Sequence, residues 1–374
     1  MRVLIDATPL LVRGGGVKSF VHGWLDCLLR TPANGVRIGM YPFLTRLPGL
    51  DHRHSPATSY SAWLRILASN VMARHCPALQ DAVCRKPDVF HASHHIWRAP
   101  HGPVVTAAVF DLTCWILPEL HLPENVRETR AYGERILKRA DRILAISECT
   151  RQDCIRILDV PPERIDVIYP AVSERFFTAD EADARRVSER WGLAGPYLLH
   201  LGCLEPRKNL GRLLDAWAEV REQYGCVYEL ALAGTDGWAP PELHRRVVTT
   251  PGVRRLGYIP EDDLPGLVRG ATAILYPSLY EGFGLPVAQG MAAGVPVVTS
   301  GGSSLAEISR GAAVLVDPRS VRSIASGIES VLESPSLRLR LAAAGRRAAE
   351  EYRPERCAAA SRAFFERAAG GRRI

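Results

Sequence analysis

Lysine is nearly missing from this chain: four residues against 43 arginines in 374 positions. Arginine is therefore background, and a lysine at a candidate site carries information; the ratio also suggests a bacterium with a GC-rich genome. Long apolar runs are missing too, with none near the roughly 20 residues that a bilayer-spanning helix needs. The chain enters a strand-like Val3-Leu4-Ile5 without a signal peptide, so a cytoplasmic location is expected, free or peripheral at the inner face of the membrane. Nine cysteines are scattered, odd in number and never spaced as CxxC. Reduced thiols fit that usage better than a disulfide framework or a zinc site. An acidic excess is lacking: net charge is +7, which suits a nucleotide diphosphate, an anionic membrane face or nucleic acid. Dense basic runs interleaved with aromatics are missing, so no nucleic-acid partner is expected.

What is present is ordinary in bulk and informative in pattern. The length allows two domains, and 47% hydrophobic with 23% charged content is that of a globular protein. Val3-Leu4-Ile5, Asp88 to His91, Val104 to Val109 and Ile143 to Ile146 read as strands. Helical spacing runs over Val17 to Leu29 and Asn125 to Ala140. Strands recur near 197–201, 228–233, 272–276, 295–299 and 313–316. Such alternation predicts an α/β protein with parallel sheets covered by helices, formed twice. The join is predicted within Pro170 to Pro196, where Ala179 to Glu189 is charged and polar, and a last helix is predicted over Pro354 to Ala369.

The most informative stretch is YEGFGLPVAQGMAAGVPVV from residue 280. The apolar strand Ala273-Ile274-Leu275-Tyr276 leads to Glu281, a turn with two glycines, and a helix opening near Pro286. Backbone amides and the dipole at such a helix start favour an anion. Glu281 beside them can accept from hydroxyls, and phosphate next to hydroxyls points to a nucleotide sugar. A simple structural turn is the alternative. A second stretch, PYLLHLGCLEPRKNL from residue 196, runs from the strand Tyr197 to Leu201 into Glu205-Pro206-Arg207-Lys208-Asn209 and a helix from near Leu210. Two cations there stand where open parallel sheets bind ligands. A solvated basic pair is the other reading, but cations at a helix start oppose its dipole unless an anion lies between them.

These two stretches resemble the family-four glycosyltransferases, retaining enzymes of the GT-B class. The likeness extends over nearly the whole chain, through MRVLIDAT at the start, RGGGV, DVFHAS at 88–93, VVTAAVFDL at 104–112, RADRILAIS at 139–147, PERIDVIYP at 162–170 and RRLGYIPEDDLPGLVRGATAILYPSLYEGFG at 254–284. The resemblance implies two Rossmann-like parallel-sheet domains facing a central cleft. It implies an acceptor-binding domain over 1–172, a nucleotide-sugar-binding domain over 173–353, and a C-terminal helix within 354–374 that returns to the first. It also implies transfer of a hexose or 6-deoxyhexose from a nucleoside-diphosphate sugar to a hydroxyl of a glycan, a lipid-linked glycan or a small metabolite. Anomeric configuration is retained, and no metal or other cofactor is required.

Residue by residue, the resemblance gives Arg207 and Lys208 the donor diphosphate, whose negative charge grows as the glycosidic bond breaks. Glu281 is expected to contact sugar hydroxyls, with donor atoms also met by Gly202, Tyr258, Ile259, Gly282, Phe283, Gly284 and Leu285. The RGGGV loop, Arg13 to Val17, reads as letting backbone approach a phosphate or acceptor at Gly15 and Gly16, with a simple tight turn as the alternative. Lys18 stands where relatives often carry glycine, and reads as touching a phosphate, an anionic acceptor or solvent. His91, His94, His95 and His101 read as a strand end lining the acceptor side rather than a metal site, with His94 and His95 as acceptor contacts, because carboxylate partners at ligand spacing are missing. Asp111 either orients an acceptor hydroxyl or caps the following turn.

Two positions depart from the family pattern. Where relatives commonly carry histidine against the sugar O6, this chain has Phe110, which would leave a hydroxyl unpaired at a cost of roughly 1–3 kcal/mol. Where relatives have a second glutamate holding both ribose hydroxyls, this chain has Gln289, with one acceptor oxygen and no charge. A dTDP-rhamnose-like donor, lacking both O6 and the ribose 2′-hydroxyl, covers both changes; GDP-mannose, GDP-fucose and UDP-sugars remain open. The same departures raise the alternative of a catalytically weakened sugar-nucleotide binder. An epimerase acting on the nucleotide sugar itself would need an acid/base pair that the sequence does not offer. Finally, Trp63, Leu64, Leu67, Ala68, Val71 and Met72 form a helical stripe with Arg65 and Arg74 off it. It reads as core packing or as a peripheral membrane contact.

Overall fold

A computed structural model describes residues 1–11, 15–31, 35–42, 44–50, 60–84, 86–94, 96–224 and 227–371. Arg13, Gly14 and His95 lie outside the described residues, as does the side chain of Trp63. The chain divides into two compact units, Met1–Ala171 with Pro354–Ile374, and Val172–Arg353. Each is built on its own six-stranded parallel sheet.

In the first unit the strands are β1 (Arg2–Asp6), β2 (Arg37–Tyr41), β3 (Val89–Ala92), β4 (Val104–Val109), β5 (Arg142–Ala145) and β6 (Ile165–Val167), in spatial order β2-β1-β3-β4-β5-β6. β3 and β4 are apolar along almost their whole length because helices cover both faces of a parallel sheet. The helix Gly16–Arg30 buries Phe20, Val21, Trp24, Leu25 and Leu28, an i, i+4 stripe turned to the core. The final helix, Pro354–Gly370, packs against it and against β3 and β4. Trp24 Nε1 donates to Ser361 Oγ at 2.7 Å, and the Trp24 and Phe365 rings lie 5.9 Å apart. The segment predicted as one helix to Ala140 instead ends as a helix at Arg135, and a 3-10 turn over Leu137–Arg139 follows.

In the second unit β7 (Tyr197–Leu201), β8 (Glu229–Ala233), β9 (Val253–Gly257), β10 (Ala273–Tyr276), β11 (Val297–Ser300) and β12 (Val314–Val316) stand in the order β12-β11-β10-β7-β8-β9. Chain order reverses between β7 and β10. In open α/β sheets that crevice, outside the carboxyl ends of the strands, is where ligands bind. The boundary between the units, Ala171/Val172, falls within the predicted join, and the polar segment beyond it is mostly the helix Glu181–Arg190, packed on the helix Leu264–Arg269 through Ala184 and Val187. Its charge reads as linker because only one narrow face is apolar.

Candidate active site

β7 and β10 are neighbours, so the loops leaving their carboxyl ends share one place. After β7 the chain makes a 3-10 turn over Pro206–Lys208, and Asn209 takes a left-handed conformation (φ +61°) before the helix Leu210–Tyr224. Asn209 Nδ2 donates to the carbonyls of Pro277 and Pro318, at 3.0 and 2.6 Å, tying this turn to the loop after β10. That loop reaches the helix Leu285–Ala292 through Gly284, at φ +98°. The left-handed backbone favours glycine there, and a Cβ at Gly284 would also press to 2.5 Å from Leu305 Cδ2.

The two motifs meet as a buried ionic cluster. Lys208 Nζ donates to Glu281 Oε1 at 2.7 Å and to Tyr276 Oη at 2.6 Å, and Tyr276 Oη donates to Glu281 Oε1 at 3.0 Å. Arg207 Nη1 pairs with Glu281 Oε2 at 2.7 Å and donates to the Tyr280 carbonyl at 2.6 Å. Its Nη2 pairs with Glu205 Oε1 at 2.8 Å, and Lys208 Nζ lies 3.6 Å from the same oxygen. The Glu281 backbone is held from the helix Ser303–Ser309 that follows β11: its N–H donates to Ser303 Oγ, and Ser304 Oγ donates to its carbonyl and to that of Phe283. Ser303 itself is left-handed at φ +56°, a strain typical of functional loops.

Burial pushes the Glu281 carboxyl upward, but the charges of Arg207 and Lys208 outweigh it and hold the group at about 2. Burial likewise opposes the Lys208 charge, and Glu281 overrides it, so the ammonium is held above the usual lysine range. Beneath them His200 stacks on Tyr276, with ring centroids 5.5 Å apart, and donates Nδ1–H to the Leu275 carbonyl at 2.9 Å. Burial lowers the His200 pKa to about 4, leaving a neutral ring under a charged layer.

The other expected donor residues of this unit are placed in different ways. Gly202 follows β7, and Gly282 and Gly284 are buried in the loop after β10. Phe283 has its ring in the core, edge-on to Tyr352 at 5.3 Å, so only its backbone can serve a ligand. Leu285 and Gln289 are half-buried on the helix that follows. Tyr258 and Ile259 come after β9, two strands from β7; Tyr258 is half-buried and Ile259 buried.

In the first unit the order reversal lies between β1 and β3. Gly15 and Gly16 are exposed at the start of the helix Gly16–Arg30, and a Cβ at either would meet nothing within 4 Å. The fold itself thus does not require glycine at either position. Lys18 is 2% exposed, which removes the reading that it points to solvent. Phe110 belongs to an aromatic cluster, edge-on to Phe20 at 5.1 Å and to His94 at 5.7 Å. His91 is a correction: it lines no surface but lies in the core between Trp24 and Phe365, with Nδ1 2.9 Å from Thr106 Oγ1. Burial pulls its pKa down to about 3, so it is neutral. His101 is exposed, and among the described residues no group of His, Cys, Asp or Glu is arranged to hold a metal ion.

Asp111 caps its turn: Oδ1 accepts from Thr113 N at 3.0 Å and from Thr113 Oγ1 at 2.6 Å. Asp6, at the end of β1, makes the same contacts with Thr8, at 3.1 and 2.7 Å. The shared signal, D-x-T after an apolar strand, was present at both sites, and Asp6 was missed. Asp6 is fully buried, which raises its carboxyl to about 6 against the opposing effect of hydrogen bonding from Thr8 and from the backbones of His94 and Ser93. Glu205 and Tyr276 were missed as well. Glu205 stands two and three residues before its partners Arg207 and Lys208, so its place in the motif was the signal for it, whereas Tyr276 meets Lys208 across 68 residues and no local pattern announces it.

Two Rossmann-like units, one with a buried basic–acidic cluster at its switch point, define a protein of the GT-B class. The chain belongs to the family-four glycosyltransferases: the model of "Glycosyl transferases group 1" matches residues 182–348 and that of "Glycosyltransferase Family 4" residues 26–176. It is 34% identical over 272 residues to the O-antigen chain mannosyltransferase B of Escherichia coli, covering 72% of this chain and 70% of that protein. It is 30% identical over 221 residues to the serotype-specific mannosyltransferase WbdA of Escherichia coli, covering 56% of this chain but only 26% of that longer protein. Among solved structures, sucrose-phosphate synthase from Thermosynechococcus elongatus shares the fold with a TM-score of 0.75 at 18% identity, over 99% of both chains. Anabaena HepE in complex with UDP-glucose does so with a TM-score of 0.72 at 16% identity, over 99% of this chain and 100% of that one. The protein is a glycosyltransferase. Among its described residues no helix is long and apolar enough to cross a membrane.

Proposed function

We propose that the enzyme transfers a hexosyl group, with retained anomeric configuration, from a nucleoside-diphosphate sugar to a hydroxyl of a growing cell-surface glycan. The observation that carries this reading is the Arg207–Lys208–Glu281 cluster at the β7/β10 switch point. Preorganised cations there would stabilise the departing diphosphate without reorganising. Glu281 would accept from sugar hydroxyls, and the Gly282 to Gly284 backbone and the half-buried Gln289 would line the donor. On this reading no protein-bound metal is needed, so activity should survive EDTA.

Two observations point to different sugars. Relatives named as mannosyltransferases favour a mannosyl donor such as GDP-mannose. Phe110, set in its aromatic cluster, favours a donor without O6, and Gln289 one without a ribose 2′-hydroxyl, such as dTDP-rhamnose. We take mannose as the first reading and the 6-deoxyhexose as the second. Mass spectrometry of products from a panel of sugar nucleotides tests both. Turnover of GDP-mannose with dTDP-rhamnose inert is expected, the reverse supports the second reading, and turnover of neither sinks both. Loss of the donor's anomeric configuration in the product, read by NMR, would end the retaining assignment.

We also propose a peripheral contact with an anionic membrane. The stripe read as core or membrane-facing is in fact exposed: Leu64, Leu67 and Val71 are 38%, 42% and 42% accessible, and Leu79 and Val83 on the next helix are exposed as well. Trp97 lies near by with guanidinium groups over its ring, Arg74 at 4.2 Å and Arg135 at 4.0 Å. Leucine, tryptophan and arginine together suit a headgroup interface. The protein should float with anionic liposomes and remain behind with neutral ones. The double variant Leu67→Glu, Val71→Glu should abolish flotation, and wild-type protein that never floats would remove the contact.

A further inference from the structure

The four charged side chains at the switch point sum to zero. Arg207 and Lys208 are matched by Glu281 and Glu205, and all four are largely buried, with side-chain exposures of 11%, 10%, 8% and 4% respectively. An incoming diphosphate therefore meets no net positive charge and must compete with carboxylates for both cations. The two carboxylates are not equivalent in this competition. Glu281 arrives from the β10 loop, 73 residues away in the chain, and on the proposed reading also serves the sugar hydroxyls. Glu205 immediately precedes the 3-10 turn that carries both cations, so backbone geometry keeps it at their side. It is 3% exposed, and the Cys203 thiol also hydrogen-bonds it, which helps burial push that thiol up to about 12.

We propose that Glu205 is a positioning residue that sets the strength with which the enzyme grips its donor and releases its product. It orients Arg207 through the 2.8 Å pair and, as a fixed counter-charge, weakens the hold of the cations on any diphosphate. Tight binding of the nucleoside diphosphate after transfer would slow product release, which often limits turnover. A counter-charge beside the cations keeps the grip reversible. This inference rests on the diphosphate reading of the cluster and adds a residue to it.

Isothermal titration of UDP, GDP and dTDP against wild type, Glu205→Gln, Glu205→Ala and Glu205→Asp tests it. Glutamine keeps the size and one acceptor oxygen for Arg207 while removing the charge. For the nucleotide that wild type binds, Gln and Ala variants should bind about tenfold more tightly, given one unit of charge at a few ångströms in a partly screened site. The Gln variant should also turn over more slowly despite a lower KM. Glu205→Asp keeps the charge and should stay near wild-type affinity. Unchanged or weaker binding by the Gln variant, or by Ala if only that one folds, overturns the inference. So does equal tightening in Asp, which would mean that packing rather than charge is at work. If no nucleotide binds even to wild type, the diphosphate reading falls and this inference falls with it. Normal wild-type binding with no change in the variants removes this inference alone.

Discussion

Lys208→Ala is expected to lower kcat by about 10²–10³-fold, the typical effect of deleting one preorganised stabiliser of transition-state charge. Lys208 Nζ bridges Glu281 Oε1 and Tyr276 Oη at 2.7 and 2.6 Å, so it has one orientation available when a phosphate enters. The same substitution strips a buried carboxylate of one of its cations. Breaking a buried pair from one side costs about 3–5 kcal/mol, which for a unit of this size reads as a fall in Tm of roughly 2–4 °C per kcal/mol. Activity and melting must therefore be measured together, with activity assayed well below the variant's Tm. A folded variant that turns over at the wild-type rate would show that Lys208 is structural and carries no leaving-group charge.

Glu281→Gln is expected to abolish most activity and to remove an acid-sensitive part of the stability. The carboxyl is held at about 2 against an ordinary value of 4.5, because the Arg207 and Lys208 charges outweigh its burial. A depressed carboxylate stabilises the fold in its ionised form. The contribution is complete above about pH 4.5 and drains away as pH falls toward 2. At 1.36 kcal/mol per pH unit this amounts to about 3 kcal/mol. Wild type should therefore be the more stable protein at pH 7, and the gap to Glu281→Gln should narrow between pH 4.5 and the lowest pH at which both fold. Denaturant melts at several pH values check it. A gap that stays constant across that window would mean that Glu281 is not held by the two cations.

How far these features were legible in the sequence depends on how local their causes are. The strands β3, β4, β7 and β10 stood out as apolar runs because helices cover both faces of each sheet. β2 and β6 at the edges of the first sheet and β9 at the edge of the second went unread. Their burial is partial, and RIGMY, IDV and VRRLG accordingly mix polar and apolar residues. Asn209 and Gly284 were conspicuous in their motifs because each answers a local backbone demand for a left-handed turn. His91 was misplaced since a histidine at the end of a strand looks the same in sequence whether it faces solvent or a tryptophan.

By itself, then, the chain's order of residues determined the family, the doubled parallel architecture, and the two loops whose charged residues form the buried cluster. Those follow from backbone propensity, apolar periodicity and short motifs, all of which act over a few residues. Only the tertiary structure decided that Arg207 and Lys208 are met by Glu281, that Phe110 sits among rings, and that the Leu64, Leu67 and Val71 stripe is uncovered. Each of these depends on which distant segments share a place after folding. Coulomb interaction and burial are set by distances through space, and separation along the chain does not report them.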